Sequence, residues 1–467
     1  MLRSTPTRVL LSTIISSSAL VLACASGGNS KASGAAEAPA PHLRSPAEQG
    51  GEHRGHVDPI PTPTAEGSVS LGGILAYADK NSPLLKVARS TRSRVEAARV
   101  AAAILLPTNP ELTVAAGPRF VQSDTGIDLE LTLMQQLQIA GQRGARMAVA
   151  DRLRDLTNAE IEQMRWAVHC DVHAAFHKAL VDEQRVRLAE RVVTFQKEVL
   201  SVVERQIAAG EAAPLALRLA QAEVAQAEQV LVGARQAYLA SRIRLAQLSG
   251  WPASTPPTPG GSVDAPRDPP SIAQLAAVAR KELPSLRAAV ARVREAEART
   301  TLAGRDGWPD PSLGVQYKRE SNPGTDATNI VMGVVSLPIP TFQTNQGERA
   351  RAKADIAVAE AEFGAAQQLL DGQVAEARSE VLAAAQRSRA YGSEILPKFE
   401  ENLTLLRRSF ELGEIDILAL STGRERFLRI QSDALGAQQD YFIALANLER
   451  VVGVDLWHDD HHEEKKP

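Results

Sequence analysis

Between Gly144 and Ala209 the chain runs for 66 residues without a proline or an internal glycine. Nothing in such a run interrupts the hydrogen-bond ladder of an α-helix, and at about 1.5 Å per residue it makes a rod of roughly 100 Å. The composition agrees with rods rather than with a thick globular interior. Aromatic residues are 4% of the chain, few for one compact core of this length, while alanine is abundant and lets helices approach closely.

The segment that holds this run is repeated later in the chain. Pro83 and Pro110 stand 27 residues apart, as do Pro284 and Pro311, and between and beyond them Leu85 matches Leu286, Ala88 matches Ala289, Leu112 matches Leu313 and Val114 matches Val315. After a two-residue insertion the shift becomes 203 and pairs Gly144 with Gly347, Arg146 with Arg349, Gly210 with Gly413 and Gly250 with Gly453. Anchors held at one spacing are much harder to obtain by chance than a shared composition, so the chain is an internal duplication.

Each copy has the same grammar. An Ala-rich helix (83–106 and 284–305) stops at a proline-bearing break and a short alternating run follows. In "IDLELTLMQ" (127–135) Ile127, Leu129, Leu131 and Leu133 share one face while Asp128, Glu130 and Thr132 share the other. That period of two is a strand. "SLGVQYK" (312–318) and "NIVMGVVSL" (329–337) alternate similarly, so four strands are expected, two per copy, each pair joined by a polar loop at 121–126 and 321–328. The second long helix, 347–412, should bend or break at Gly364, Gly372, Gly392 and Pro397. Turns at Gly210 and Gly413 send the chain back through helices near 213–249 and 416–452. Each return helix plus one pre-strand helix matches a long helix in length, which describes an antiparallel helical cylinder capped by hairpins.

Strands with one apolar and one polar face suit a barrel wall between lipid and water, but four strands cannot close, and open edges are not tolerated in lipid. Three chains would supply twelve. The fold class expected is therefore mainly α with a small β part: a long antiparallel α-helical barrel plus a transmembrane β-barrel, four strands per chain, closed as a trimer. Soluble hairpins lying on helices are the alternative. The pore-facing strand positions would be Asp128, Glu130 and Thr132.

The amino-terminus reads as an export signal, with Arg3 and Arg8 ahead of an apolar stretch from Val9 to Leu22. "VLAC" at 21–24 resembles a bacterial lipobox, in which Cys24 is the acylated first residue of the mature chain; an ordinary signal cut near Ala25 is the alternative. Ala25 and Ser26 after that cysteine are what outer-membrane sorting shows in this class of signal. With Cys24 acylated, Cys170 has no cysteine partner and a disulfide framework is excluded. The net charge of −3 becomes −5 once Arg3 and Arg8 leave with the signal, which is no nucleic-acid footprint. The expected organisation is a signal over 1–23, a disordered lipidated tether over 24–70, a first repeat over 71–250, a Pro-rich linker over 251–270, a second repeat over 271–453 and a His- and acid-rich tail over 454–467. No HExxH, GxSxG or P-loop sequence occurs, so neither an enzyme nor a cofactor is expected.

Two stretches, "QQLQIAGQRGARMAVA" (135–150) and "VSLPIPTFQTNQGERARAKA" (335–354), resemble the strand-to-helix junctions of the TolC-like outer-membrane efflux factors, and within them the heavy-metal (CzcC-like) branch. The resemblance extends over roughly 70–455. It implies a homotrimer with a twelve-stranded barrel in outer-membrane lipid and a periplasmic tunnel of twelve helices. It also implies a periplasmic adaptor and an inner-membrane proton-driven pump as partners, and passive export of heavy-metal cations. A duct for drugs or secreted polypeptides and a non-channel coiled-coil lipoprotein are the competing accounts.

The resemblance places the periplasmic tip at Gly210 and Gly413. Family members such as TolC carry aspartates there, but the matching positions here are Ala419 and Thr422, so an acidic ring is not supported. Glu211, Arg218, Glu414, Asp416, Arg424 and Arg426 are the charges that could lock or unlock the tip; a solvated helix end is the competing account for each. All nine histidines fall in three clusters: His42, His53 and His56 in the tether; His169, His173 and His177 beside Cys170 on the first long helix; and His458, His461 and His462 in the tail. The helical set has i, i+4, i+8 spacing on one face, so it is a candidate for Zn²⁺, Co²⁺ or Ni²⁺, either alone or with the tail, against the alternative of a polar seam between helices.

Overall fold

The computed structural model describes residues 67–121, 124–210, 213–261, 265–321 and 326–456. The first copy of the repeat contains β1 (Ser68–Val69), α1 (Leu71–Asn81), α2 (Pro83–Ser90), α3 (Arg92–Ala103), β2 (Glu111–Val121), β3 (Asp124–Gln136), α4 (Gln142–Ala208) and α5 (Pro214–Ser249). The second contains β4 (Thr258–Pro259), α6 (Ile272–Glu282), α7 (Pro284–Arg305), β5 (Ser312–Glu320), β6 (Thr328–Ser336), α8 (Gln346–Ala390), α9 (Leu396–Glu411) and α10 (Ile417–Val452). α4 is a single helix of 67 residues, and the return helices α5 and α10 are 36 residues each.

The second rod departs from the expectation in an instructive way. Gly364 and Gly372 lie inside an unbroken α8, because a glycine weakens a helix by only about 1 kcal/mol and leaves its hydrogen bonds in place. The interruption comes at a π-helical turn over Tyr391–Ile395, which holds Gly392 and precedes Pro397. Proline has no N–H to give and its ring collides with the carbonyl four residues back, so the backbone inserts a wider turn ahead of it.

α1 and α6, eleven residues each, were not foreseen as separate helices. Ser70 caps α1 by accepting from the Gly73 N–H at 3.1 Å, and Ser271 with Gln274 forms a capping box on α6. Pro83 and Pro284 end them, since each pushes its preceding residue, Ser82 or Leu283, out of helical conformation. These corners receive the return helices. Gly250 and Gly453, at φ 79° and 85°, end α5 and α10 in the left-handed region. A side chain at Gly250 would strike the Asn81 carbonyl, and one at Gly453 would sit 2.6 Å from the Leu283 Cα.

Two equivalent cores lie around those corners. Ile74, Leu85, Val172, Phe176 and Leu245 fill the first; Leu275, Leu286, Val374, Val381 and Leu448 fill the second. Full burial of each such side chain contributes about 1.5–3 kcal/mol. The Pro-rich linker is strapped to both. The Trp251 ring centroid lies 4.6 Å from that of Tyr77, β4 pairs in parallel with β1, and Arg378 and Arg389 donate to the Pro270 and Pro266 carbonyls.

Candidate functional site

The four long strands form one antiparallel sheet in the order β2-β3-β5-β6, so the hairpin of one repeat pairs with that of the other through β3 and β5. The register aligns Val114, Leu131, Tyr317 and Val331 across all four strands. Residues directly opposite one another share a face. One face therefore carries Leu112, Val114 and Phe120, then Ile127 through Leu133 at alternate positions, then Leu313 and Val315, then Val331 and Val335. It is open: Phe120 is 78%, Ile127 72% and Val335 72% exposed. An apolar surface this continuous on a monomer marks a surface that something apolar covers.

The other face is polar along β3 and β5, where Asp128, Glu130 and Thr132 all lie as expected from the alternation, while β6 contributes Ile330, Met332 and Val334 to it. Arg119 donates to Asp128 at 2.8 Å and pairs with Glu320 at 3.3 Å, and Lys318 pairs with Glu320 at 2.6 Å. Glu130 accepts from Gln316 at 2.5 Å. Among the described residues β2 and β6 each have a strand partner on one side, leaving two edges whose N–H and C=O groups have no ladder partner. Trp308, Ile339 and Phe342, 62%, 79% and 87% exposed, cluster where the strands meet the helices. No helix among the described residues is long and apolar enough to cross a membrane.

Both junction motifs do structural work. Gln142 and Gln346 open the two long helices, each accepting at Oε1 from the backbone N–H two residues earlier, of Ala140 and Thr344, at 2.9 and 2.8 Å. Asn345 takes a left-handed conformation (φ 58°) and donates to the Ala303 carbonyl, tying the start of α8 to α7.

At the opposite end of the rods, Gly210 and Gly413 turn at φ 77° and 75°. Glu211 lies outside the described residues. Arg218 is exposed and reaches Gln221 at 3.4 Å, while the Glu414 N–H closes the end of α9 on the Ser409 carbonyl. Asp416 caps α10 by accepting from the Ala419 N–H at 2.8 Å, and the Thr422 hydroxyl donates to Leu418 of its own helix. Arg426 lies over the Phe399 ring at 5.7 Å. Arg424 differs from the rest: it is buried, with its guanidinium 3.0 Å from the Phe195 ring centroid on α4, and its Nε has no hydrogen-bond partner among the described residues. Burial pushes its pKa down to about 10, with Arg407 adding to the effect and Glu198 opposing it, so it stays cationic at neutral pH. It lines a small cavity of about 70 Å³ between α4, α5 and α10.

The helical histidines form a seam between the two repeats. His173 Nδ1 lies 2.8 Å from Glu449 Oε2, and Glu449 is fully buried. His177 stacks on Phe442 with centroids 3.9 Å apart and planes within 3°, and burial holds its pKa well below the usual histidine value, helped by His173. His169 stacks on Trp166 and faces Asp455 at 3.9 Å. Among the described residues no three His, Cys, Asp or Glu side chains converge as a cation site. The three rings thus share a face but each has a neighbour of its own. Cys170 is buried beside them, its thiol pushed up to about 12 by burial, and is inert. Cys24, His458, His461 and His462 lie outside the described residues. Glu449 was not singled out from the sequence, yet a signal existed: at the shift of 203 its counterpart is Ala246, an apolar residue in an equivalent buried place.

The sequence profile of a family described as outer membrane efflux protein matches residues 75–251 and 275–454, the two copies of the repeat. The chain belongs to that family. Its members are channels and not enzymes. The resemblance drawn from the junction motifs is thereby borne out. Among relatives, the cobalt-zinc-cadmium resistance protein CzcC of Cupriavidus metallidurans is 23% identical over 395 residues, covering 83% of this chain and 91% of that protein. The fold is similar to that of the Campylobacter jejuni CmeC outer membrane channel, with a TM-score of 0.66 at 13% identity over 82% of this chain and 85% of that one. It is also similar to the outer membrane protein VceC of Vibrio cholerae, with a TM-score of 0.63 at 17% identity over 82% and 96%.

Proposed function

We propose that this outer membrane efflux protein works as a homotrimer whose twelve strands close a barrel in the outer membrane, above a tunnel of helices in the periplasm, and that it exports divalent heavy-metal cations. One observation carries the proposal: a four-stranded sheet with one largely apolar face, an opposite face charged along β2, β3 and β5, and, among the described residues, two unpaired edges. Lipid covers the first, water the second, and a neighbouring copy each edge. The ladder of Asp128, Glu130 and Glu320, interleaved with Arg119 and Lys318, then lines a wet passage that favours cations without stripping them of water. The metal substrate is supported by the similarity to CzcC along most of both chains.

A passive duct needs an energy source elsewhere, so a periplasmic adaptor and an inner-membrane proton-driven pump are the partners proposed. Acyl chains on Cys24 would anchor the amino-terminus while the strands do the spanning. The test begins with the detergent-extracted protein, expected to be a trimer that conducts ions in a planar bilayer, with Cys24→Ala still fractionating with the outer membrane. A deletion strain should then lose tolerance to Co²⁺, Zn²⁺ or Cd²⁺. A stable, non-conducting monomer would remove the barrel, and sensitivity to drugs alone would replace metal by drug as cargo.

A further inference from the structure

Toward the turn end of the rods a buried cation stands without an anion. Arg424 of α10 is 6% exposed, and its guanidinium carbon lies 3.0 Å from the Phe195 ring centroid on α4. A ring face attracts the charge but is no ordinary acceptor for the N–H groups. Nε has no hydrogen-bond partner, and the guanidinium makes no ion pair among the described residues. Glu198 acts on it only through space. A buried donor without an acceptor is costly, and more so when it is charged, so packing against Phe195 does not by itself account for an arginine here.

The same side chain lines the cavity of about 70 Å³ between α4, α5 and α10, which has room for roughly five waters. Val199, Ala220 and Leu420 give the cavity apolar walls, and Leu219 and Leu418, 50% and 66% exposed, lie where it opens. Glu223 is the one carboxylate among the lining residues; it is half-buried and not bonded to Arg424. A guanidinium presents its N–H groups as a planar fork that matches a carboxylate through two parallel hydrogen bonds. Apolar walls favour a hydrocarbon body on the ligand, and the charge of Glu223 disfavours a multiply charged anion such as phosphate.

We infer that this cavity is a binding site for a small monocarboxylate with a short hydrocarbon body, its carboxylate on Arg424 and its chain against Val199, Ala220 and Leu420. The bound acid supplies the acceptor that Arg424 lacks and bridges α10 to α4 and α5. No strand residue takes part, so the site stands apart from the sheet and holds whatever species the channel exports.

The experiment is titration of butyrate into the detergent-solubilised full-length protein, read by saturation-transfer NMR of the butyrate methyl group and by the thermal unfolding midpoint. Saturable binding and a raised midpoint are expected. Butyramide, with the same chain and no charge, should bind roughly ten- to a hundredfold more weakly, and chloride should compete poorly. Arg424→Met removes the fork, keeps an apolar side chain against Phe195, and should weaken butyrate by the same factor. Glu223→Gln should tighten binding, since it takes a like charge from the lining. Ala220→Leu fills the cavity, leaves Arg424 in place and should abolish binding; with the butyramide comparison it keeps the test informative where Arg424→Met fails to assemble. Equal affinity for butyrate and butyramide would reduce the site to an apolar hollow, and undiminished binding in Ala220→Leu would move the acid elsewhere; either result overturns the inference. Chloride competing as well as butyrate would make this a site for bare anions and refute the monocarboxylate, and a wild type with no saturable signal would remove the site outright.

Discussion

Leu131 and Thr132 are neighbours on β3 with opposite fates if the sheet is a membrane wall. Leu131 lies on the apolar face between Val114 and Tyr317, and Thr132 on the polar face between Thr113 and Gln316. The apolar stretch of β3 runs from Ile127 to Leu133, so Leu131 is one residue from its midpoint, about 3 Å along the strand. An arginine facing lipid at that depth costs about 2–4 kcal/mol. This corresponds to roughly a 30- to 900-fold fall in the ratio of inserted to uninserted protein. Thr132→Arg places the same charge in water beside Glu130 and should insert almost as well as the wild type. Heat-modifiable trimer in outer-membrane fractions, quantified at equal expression, reads the difference directly. Equal losses in the two variants, or the greater loss in Thr132→Arg, would refute the assignment of faces and with it the barrel.

Two further expectations come from the helical part. Gly250→Ala should be costlier than Gly210→Ala: both glycines have left-handed φ, worth about 1–2 kcal/mol for alanine, but only at Gly250 would the new Cβ meet backbone, that of Asn81, while Gly210 has nothing within 4 Å. Overpacking adds about 1–3 kcal/mol, so the thermal unfolding midpoint in detergent should drop further for Gly250→Ala; equal drops would mean that the corner yields freely. His177 is held neutral by burial, its folded pKa lying well below 6.5. The unfolded chain therefore binds the extra proton as pH falls below about 6.5, and this contribution, absent above that pH, removes up to about 1.4 kcal/mol of stability per pH unit. His177→Phe, which retains the stacking on Phe442, should flatten the acid limb of a stability-pH curve, and an unchanged limb would assign the dependence to other groups.

Much of this protein was legible in advance because its signals are local or periodic. The ends of α5 and α10 follow from glycines that can take positive φ, and the strand faces from alternation alone. The Pro397 interruption is equally local. Gly364 and Gly372 misled because a glycine lowers helix propensity without removing a hydrogen bond, and packing in the second core outweighs that cost. α1 and α6 were missed because eleven residues give little periodicity to count, although Ser70 and Ser271 stood ready as caps. Arg424 could be named as a charge near the tip, but its burial against Phe195 depends on another helix.

The sequence by itself determined the rods, their turns, the duplication and which residues share a face of each strand. These depend on backbone sterics and on spacings of two to four residues, which no distant contact has to supply. Tertiary structure alone decided that β3 pairs with β5, that the Pro-rich linker is strapped by arginines, and that His173 meets Glu449 across 276 positions of chain. An i, i+4, i+8 histidine ladder names a helix face but not what that face meets. The neighbour is set by how α4 and α10 rotate to bury their own apolar stripes, and that rotation gave His173 a carboxylate, His177 an aromatic ring and His169 the start of the tail.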